Sequence, residues 1–237
     1  MPAEVATKVI EVIQRNYNVK SVRVERAQDI TFKAGQFLQV TLQNNPQLKH
    51  YLSISSSPTE KCHLEFTKKL SQSDFSKGMD VLKAGDELLI QYPFGKFTLE
   101  DNPAPTGKIA FLSGGIGITP LRSITKDVVD RNLGTDIVLI YSNSSIKDIV
   151  FKDDFSAMQK AYVKLRVAHV LCEAEPGFKC SVGYINASII RNEVSDYKER
   201  KFFLCGPPGM VEAMRKMLSD ELVLPKEQIV TENFQGY

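Results

Sequence analysis

The 237-residue sequence has no tryptophan, only three histidines and only four cysteines. The cysteines stand at 62, 172, 180 and 205, so no C-x-x-C pair or iron–sulfur ligand run exists and the chain carries no cluster of its own. No apolar run approaches the ~20 residues that a bilayer-spanning helix needs, and the N-terminus lacks the apolar stretch of a signal peptide. Together these absences imply a cytoplasmic protein whose thiols stay reduced and in which the Asn-x-Ser sequences at Asn143 and Asn186 are chance. An excess of one charge is missing too. Thirty Lys and Arg face 28 Asp and Glu, for a net charge of +2 without a basic run, which argues against nucleic acid as a partner. Apolar residues are plentiful at 43%, enough for one large or two modest cores.

The first hundred residues carry six short segments rich in β-branched or aromatic residues: 7–13, 20–25, 36–42, 49–54, 62–68 and 87–92. Several alternate, as in Phe37, Leu38, Val40 and Leu42, and turn chemistry such as Ala34-Gly35, Ala84-Gly85-Asp86 and Phe94-Gly95 separates them. This spacing predicts a six-stranded antiparallel β-barrel, interrupted by a short helix over 73–82. The segment from Asp101 to Gly107, polar and holding two prolines, predicts a boundary that divides the chain into domains 1–104 and 105–237.

Beyond the boundary the pattern alternates. Strands over 109–113, 136–141, 165–170, 201–205 and 229–231 are separated by helices over 120–131, 152–160, 185–191 and 208–218. This order predicts an α/β domain with a doubly wound parallel sheet. Ligands of such sheets sit at the carboxyl ends of the strands, an edge shared by residues 114–119, 142–145 and 205–210.

The run from Ile109 to Pro120 joins a buried strand to three glycines and a helix start. Gly114, Gly115 and Gly117 permit positive φ and let backbone amides approach a ligand, while Thr119 and Pro120 are expected at the N-cap and first helical position. A helix starting there favours a phosphate or diphosphate over the glycines; a tight strand-to-helix turn without ligand is the alternative.

Several motifs in one order extend this reading. They are the segments Phe32–Phe37 and Tyr92–Phe97, the segment around Ser53, the Gly114 loop, Leu204-Cys205-Gly206-Pro207-Pro208-Gly209-Met210, and the ending Glu232-Asn233-Phe234-Gln235-Gly236-Tyr237. Together they resemble the ferredoxin–NADP reductase superfamily over nearly the whole chain. The resemblance implies a flavin-binding barrel, with FAD rather than FMN, followed by an NAD(P)-binding domain. Hydride would pass from NAD(P)H to flavin N5, and electrons to an outside acceptor such as a ferredoxin, a flavodoxin or an oxygenase component.

The resemblance also implies roles. His50-Tyr51-Leu52-Ser53-Ile54-Ser55-Ser56 is similar to the family's R-x-Y-S-x-x-S segment, where the Arg holds a flavin phosphate, the aromatic stacks on the ring and the Ser reaches N5. Ser53 and Ser56 match, Ser53 being the candidate for N5, with a plain turn serine as the alternative. His50 and Leu52 depart from the pattern, losing the Arg fork and the stacking face. His50 is then expected either as a weaker phosphate donor that lets go of flavin as it deprotonates between pH 5.5 and 8, or as a packing residue. Ser76 matches a second phosphate-contacting hydroxyl, although Ser73-Asp74 stands where a glycine pair is usual and a simple N-cap role is the alternative. Leu52, Ile54, Phe234 and Tyr237 complete the implied flavin site.

On the nucleotide side the implied residues are Gly114, Gly115, Gly117, Thr119, Pro120, Ser142, Cys205, Gly206, Pro207 and Met210. Cys205 is expected beside the nicotinamide, with buried packing as the alternative. Glu232 is expected to handle protons near the ring or to be a solvated charge, and Tyr237 to cover the flavin face. The expected catalytic group is thus Ser53, Cys205, Glu232 and Tyr237. Ser142-Asn143-Ser144-Ser145 offers neither an acid for a ribose nor an Arg for a 2′-phosphate, so NADH and NADPH stay open. Alternatives to the reductase reading are reduction of free flavin or another small acceptor, and a non-catalytic nucleotide-binding or electron-transfer subunit.

Overall fold

Alternating apolar residues build the first sheet from β1 (Ala3–Asn16), β2 (Val19–Val24), β3 (Phe37–Leu42), β4 (Lys49–Ser53), β5 (Leu64–Lys69) and β6 (Glu87–Phe94), with α1 (Asp74–Asp80) between the last two. The computed structural model describes residues 2–43, 45–104 and 107–233, with the Asn233 side chain left aside. The strands run in the order β4-β3-β6-β1-β2-β5, every pair antiparallel. Strand β1 is long because it serves both halves. Its first residues pair with β6 and its later ones with β2, the change being marked by an irregularity between Val9 and Glu11. A bridge between Ile54 and Phe66 brings the two edge strands together, so the barrel is nearly closed. Leu38, Val40, Phe66, Leu88 and Ile90 fill it, and Phe75 and Met79 of α1 pack on that core. Ser73 caps α1 by accepting the Ser76 amide, which accounts for the helix lying inside the expected 73–82.

The second sheet comprises β7 (Lys108–Gly114), β8 (Asp136–Asn143), β9 (Leu165–Leu171), β10 (Ser181–Val182), β11 (Lys201–Gly206) and β12 (Ile229–Asn233). Its order is β10-β9-β8-β7-β11-β12 and all pairs are parallel. The two-residue β10 was not foreseen; it is too short to show alternation.

Helices α2 (Ile118–Arg131) and α3 (Lys152–Ala161) cover one face of this sheet, and α4 (Ala187–Glu193) and α5 (Pro208–Asp220) the other. Asn186 caps α4 by accepting the Ile189 amide, so the helix starts two residues later than expected. Leu121, Ile124 and Val128 of α2 pack on the sheet in one core with Ala34 and Phe97 from the other half of the chain, so α2 lies between barrel and sheet. Among the described residues no helix is long and apolar enough to cross a membrane.

Candidate active site

The strand order turns back between β7 and β11, and both strands end there in glycine: Gly114 and Gly206. A single 3₁₀ turn, Gly115–Gly117, leads into α2. Only Gly115 has positive φ, at 51°, and a Cβ there would meet nothing within 4 Å, so its backbone faces open space. The other two are glycine for room. A Cβ on Gly114 would lie 2.1 Å from Met210 Sδ, and one on Gly117 2.3 Å from the Cys205 carbonyl oxygen. Close approach of the β11 backbone thus accounts for Gly117 and the Met210 side chain of α5 crowds Gly114, neither needing positive φ.

Helix α2 also starts earlier than expected. Gly117 already has helical angles, φ −61° and ψ −6°, and stands at the N-cap, so Thr119 lies within the helix and Pro120 in its first turn. Thr119 is therefore not the cap; its hydroxyl donates back to the Ile116 carbonyl at 3.0 Å. No side chain caps α2 or α5, whose N-cap is Pro207; the Ile118 amide that opens α2 already donates to the Gly115 and Ile116 carbonyls, and Pro120 and Pro208 bring no amide, so what both helices turn toward an anion at this edge is chiefly the positive end of the helix dipole. Tyr141 steadies the turn by donating its hydroxyl to the Gly115 carbonyl at 3.0 Å while accepting the Val150 amide at 3.3 Å. Sequence reasoning missed Tyr141; its signal was a lone hydroxylated aromatic in an aliphatic strand.

Register places Tyr141, Ser113, Cys205 and Glu232 in one row across β8, β7, β11 and β12, with neighbours on adjacent strands roughly 5 Å apart. Alternation turns this row to the same face as Phe111 and Phe203, the face that packs on α2 and α3. Cys205 is fully buried, and burial followed by the Glu232 charge raises its pKa well above the ordinary thiol value. Its thiol packs in the core formed with Phe111 and Phe203, and burial favours the protonated form. Partial burial pushes the Glu232 carboxyl up to about 7. Ser113, also missed, buries its hydroxyl with no hydrogen-bond partner among the described residues. Ser142 stands opposite Gly114. Asp148, the nearest acid after β8, is engaged by Ser145 at 2.8 Å and Tyr17 at 2.6 Å.

On the barrel, Ser53 ends β4 and is buried, and Leu52 lies opposite Leu38 in the core. Tyr51 points outward, edge-on to Phe37 and Phe94. Ile54 belongs to the core, and Ser56 uses its hydroxyl to accept the Glu65 amide at 2.9 Å. His50 lies 3.3 Å from Lys68 and tilts against Phe75. Burial first, then the Lys68 charge, push its pKa down to about 4. The titration expected of His50 between pH 5.5 and 8 is therefore corrected: the ring is neutral there, and Lys68 supplies the cation. Ser76 is buried in a hydroxyl cluster, 3.1 Å from both Ser71 and Ser73. Phe234 and Tyr237 lie outside the described residues.

Two family models match in sequence order. An oxidoreductase FAD-binding domain covers residues 4–99 and an oxidoreductase NAD-binding domain covers residues 111–216. The chain belongs to the ferredoxin–NADP reductase superfamily. The glycine betaine monooxygenase reductase subunit of Pseudomonas aeruginosa (strain UCBPP-PA14) is 32% identical over 223 residues, covering 89% of this chain and 59% of the relative. The chain thus spans somewhat under two thirds of that relative's length. NADH-cytochrome b5 reductase 1 of Aspergillus terreus is 32% identical over 188 residues, covering 76% of this chain and 63% of the relative. A ferredoxin NADP+ reductase from Neisseria gonorrhoeae, solved with bound FAD and NADP, shares the fold with a TM-score of 0.83 at 22% identity, covering 97% of this chain and 98% of that one.

The donor set fits both cofactors of the superfamily. Lys68 and the Ser71, Ser73 and Ser76 hydroxyls suit a flavin diphosphate, and the Gly115 turn with the uncapped helix α2 suits a nucleotide diphosphate. Among the described residues no group of His, Cys, Asp and Glu could hold a metal ion.

Proposed function

We propose that this chain is an NAD(P)H-dependent flavoprotein reductase that holds FAD at its barrel and passes electrons to a separate protein, such as an oxygenase component or a ferredoxin. The observation that carries the reading is a convergence. The Ser53-bearing segment of the barrel docks directly on α2, the helix that the nucleotide loop opens into, through Ser55 and Ser56. A flavin on the first element and a nicotinamide nucleotide on the second are thereby brought to one site. When bound, the flavin supplies hydride acceptance and the release of single electrons. The chain's own residues bind and orient. Ser53 is assigned to the flavin ring, where a hydroxyl can donate or accept. Cys205 packs beside the nicotinamide without competing as a nucleophile, and Glu232 holds or releases a proton near neutrality. Tyr237 remains the proposed cover of the flavin face.

The relatives support the protein acceptor: one is named as the reductase subunit of a monooxygenase. We also place the domain boundary between residues 104 and 105, and the protein in the cytoplasm, in accord with four free thiols. A second reading, reduction of flavin that comes and goes as a substrate, is favoured by the absence of an arginine at His50 and of a stacking ring at Leu52. An absorption spectrum tests the proposal. Flavin bands that bleach with NADH or NADPH are expected, and a colourless protein that takes up no added FAD would overturn it. A panel of acceptors then separates protein from free flavin.

A further inference from the structure

Helix α2 carries Arg122 in its second turn, with a side chain only 6% exposed. Its guanidinium gathers three parts of the molecule. Nη1 donates to the Ser55 carbonyl at 3.0 Å and to Glu60 Oε2 at 2.5 Å, Nη2 donates to Glu60 Oε1 at 3.2 Å, and Nε donates to Asp154 of α3 at 3.0 Å. It also lies over the Phe151 ring, 5.6 Å from the centroid. The next residue, Ser123, donates to the Ser56 carbonyl at 2.6 Å. Glu60 in turn accepts the Ser57 amide at 2.7 Å. From the other side, buried Glu65 accepts the Ser55 hydroxyl at 2.9 Å and pairs with Arg15 and Arg23. The segment following Ser53 is thus held on one side by the barrel and on the other by the helix that begins at the glycine turn.

Burying a guanidinium and its carboxylates costs desolvation that a packed apolar contact avoids, so such a group is better suited to specifying one arrangement than to adding stability. What it specifies here is how far the barrel segment sits from the start of α2. Hydride transfer is steeply sensitive to that distance, a misplacement of about 1 Å being able to lower the rate by about 100-fold. We propose that Arg122 is a positioning residue for hydride transfer, which clamps the Ser53-bearing segment to α2 and sets the approach of the two bound cofactors without touching either. The inference rests on the reductase reading above.

The test uses the FAD-loaded protein and the variants Arg122→Gln, Arg122→Lys, Glu60→Gln and Ser123→Ala. Stopped-flow bleaching of the flavin by NADH or NADPH reports hydride transfer, while fluorescence titration of FAD and of the oxidised nucleotide reports binding. Transfer in Arg122→Gln should fall by about 10- to 100-fold with both dissociation constants within about threefold of wild type. The lysine variant should recover part of the rate, because it keeps the charge but not the bidentate fork. Glu60→Gln, which keeps the arginine and removes its bidentate partner's charge, should fall in the same direction by a smaller factor. Wild-type transfer rates in folded variants, or a rate loss matched by equal losses in both affinities, would overturn the inference. Should Arg122→Gln not fold, Glu60→Gln and Ser123→Ala decide by the same criteria. A wild-type flavin that neither nucleotide bleaches removes the reductase reading and this inference with it, whereas normal wild-type bleaching with unaffected variants removes the inference alone.

Discussion

Replacing Glu232 by glutamine should change the pH dependence of stability in one direction only. Burial moves this carboxyl from about 4.5 to about 7 in the folded chain. Below pH 4.5 it is protonated whether the chain is folded or not, and it contributes no pH term. As pH rises from 4.5 to 7 the unfolded chain releases the proton while the folded chain keeps it, so stability falls until both states are ionised. Each pH unit of that interval corresponds to about 1.4 kcal/mol, so the full loss is about 3 kcal/mol. For a chain of this size that is roughly 6–12 °C in Tm. Glutamine keeps the shape and removes the titration. Melting curves of Glu232→Gln and wild type, recorded from pH 4.5 to 8.5 at a constant flavin state, should therefore diverge as pH rises, the variant becoming the more stable, and run parallel above about pH 8. A difference that stays constant over this range, or one that grows toward acid, would refute the burial of an ionisable Glu232 beside Cys205.

The glycine turn offers a contrast within three residues: Gly117→Ala should lower nucleotide affinity by about tenfold and stability by about 1–3 kcal/mol, because its Cβ meets the Cys205 carbonyl. Gly115→Ala has open space and carries only the smaller strain of its positive φ, so equal losses in calorimetric titrations of the two variants would contradict the close-approach explanation. At the barrel, His50 titrates at about 4, so FAD affinity of wild type and His50→Gln should follow the same line between pH 5.5 and 8. A slope in that window that vanishes in the variant would show that His50 charges in the bound state.

Local patterns revealed most of the architecture. Alternation in Phe37–Leu42 and the apolar stripe Leu121, Ile124 and Val128 are consequences of strand and helix periods, and they survive in the sequence whatever the partners are. Cys205 and the glycines could be placed at one edge because parallel α/β sheets collect loops there. The reasons for those residues were less visible. Gly114, Gly115 and Gly117 look alike in sequence, yet one is needed for its φ and two for the nearness of β11 and α5, which the sequence does not display. Thr119-Pro120 has the chemistry of a helix start, but the turn had already entered the helix at Gly117. For His50 a titrating donor and a packing residue both stayed open in the sequence, because its neighbour across the barrel seam, Lys68, is 18 residues away in the chain.

By itself, the sequence determined the order of the helices and of every strand but β10, the glycine turn and the family to which the chain belongs. Each of these is written in adjacent residues or in a fixed period. Tertiary structure alone decided that Tyr141, Ser113, Cys205 and Glu232 form one row, that Glu232 titrates near neutrality, and that Arg122 binds a carbonyl 67 residues away. Those properties arise from desolvation and from which strands become neighbours, and neither exists until the two halves of the chain have packed together.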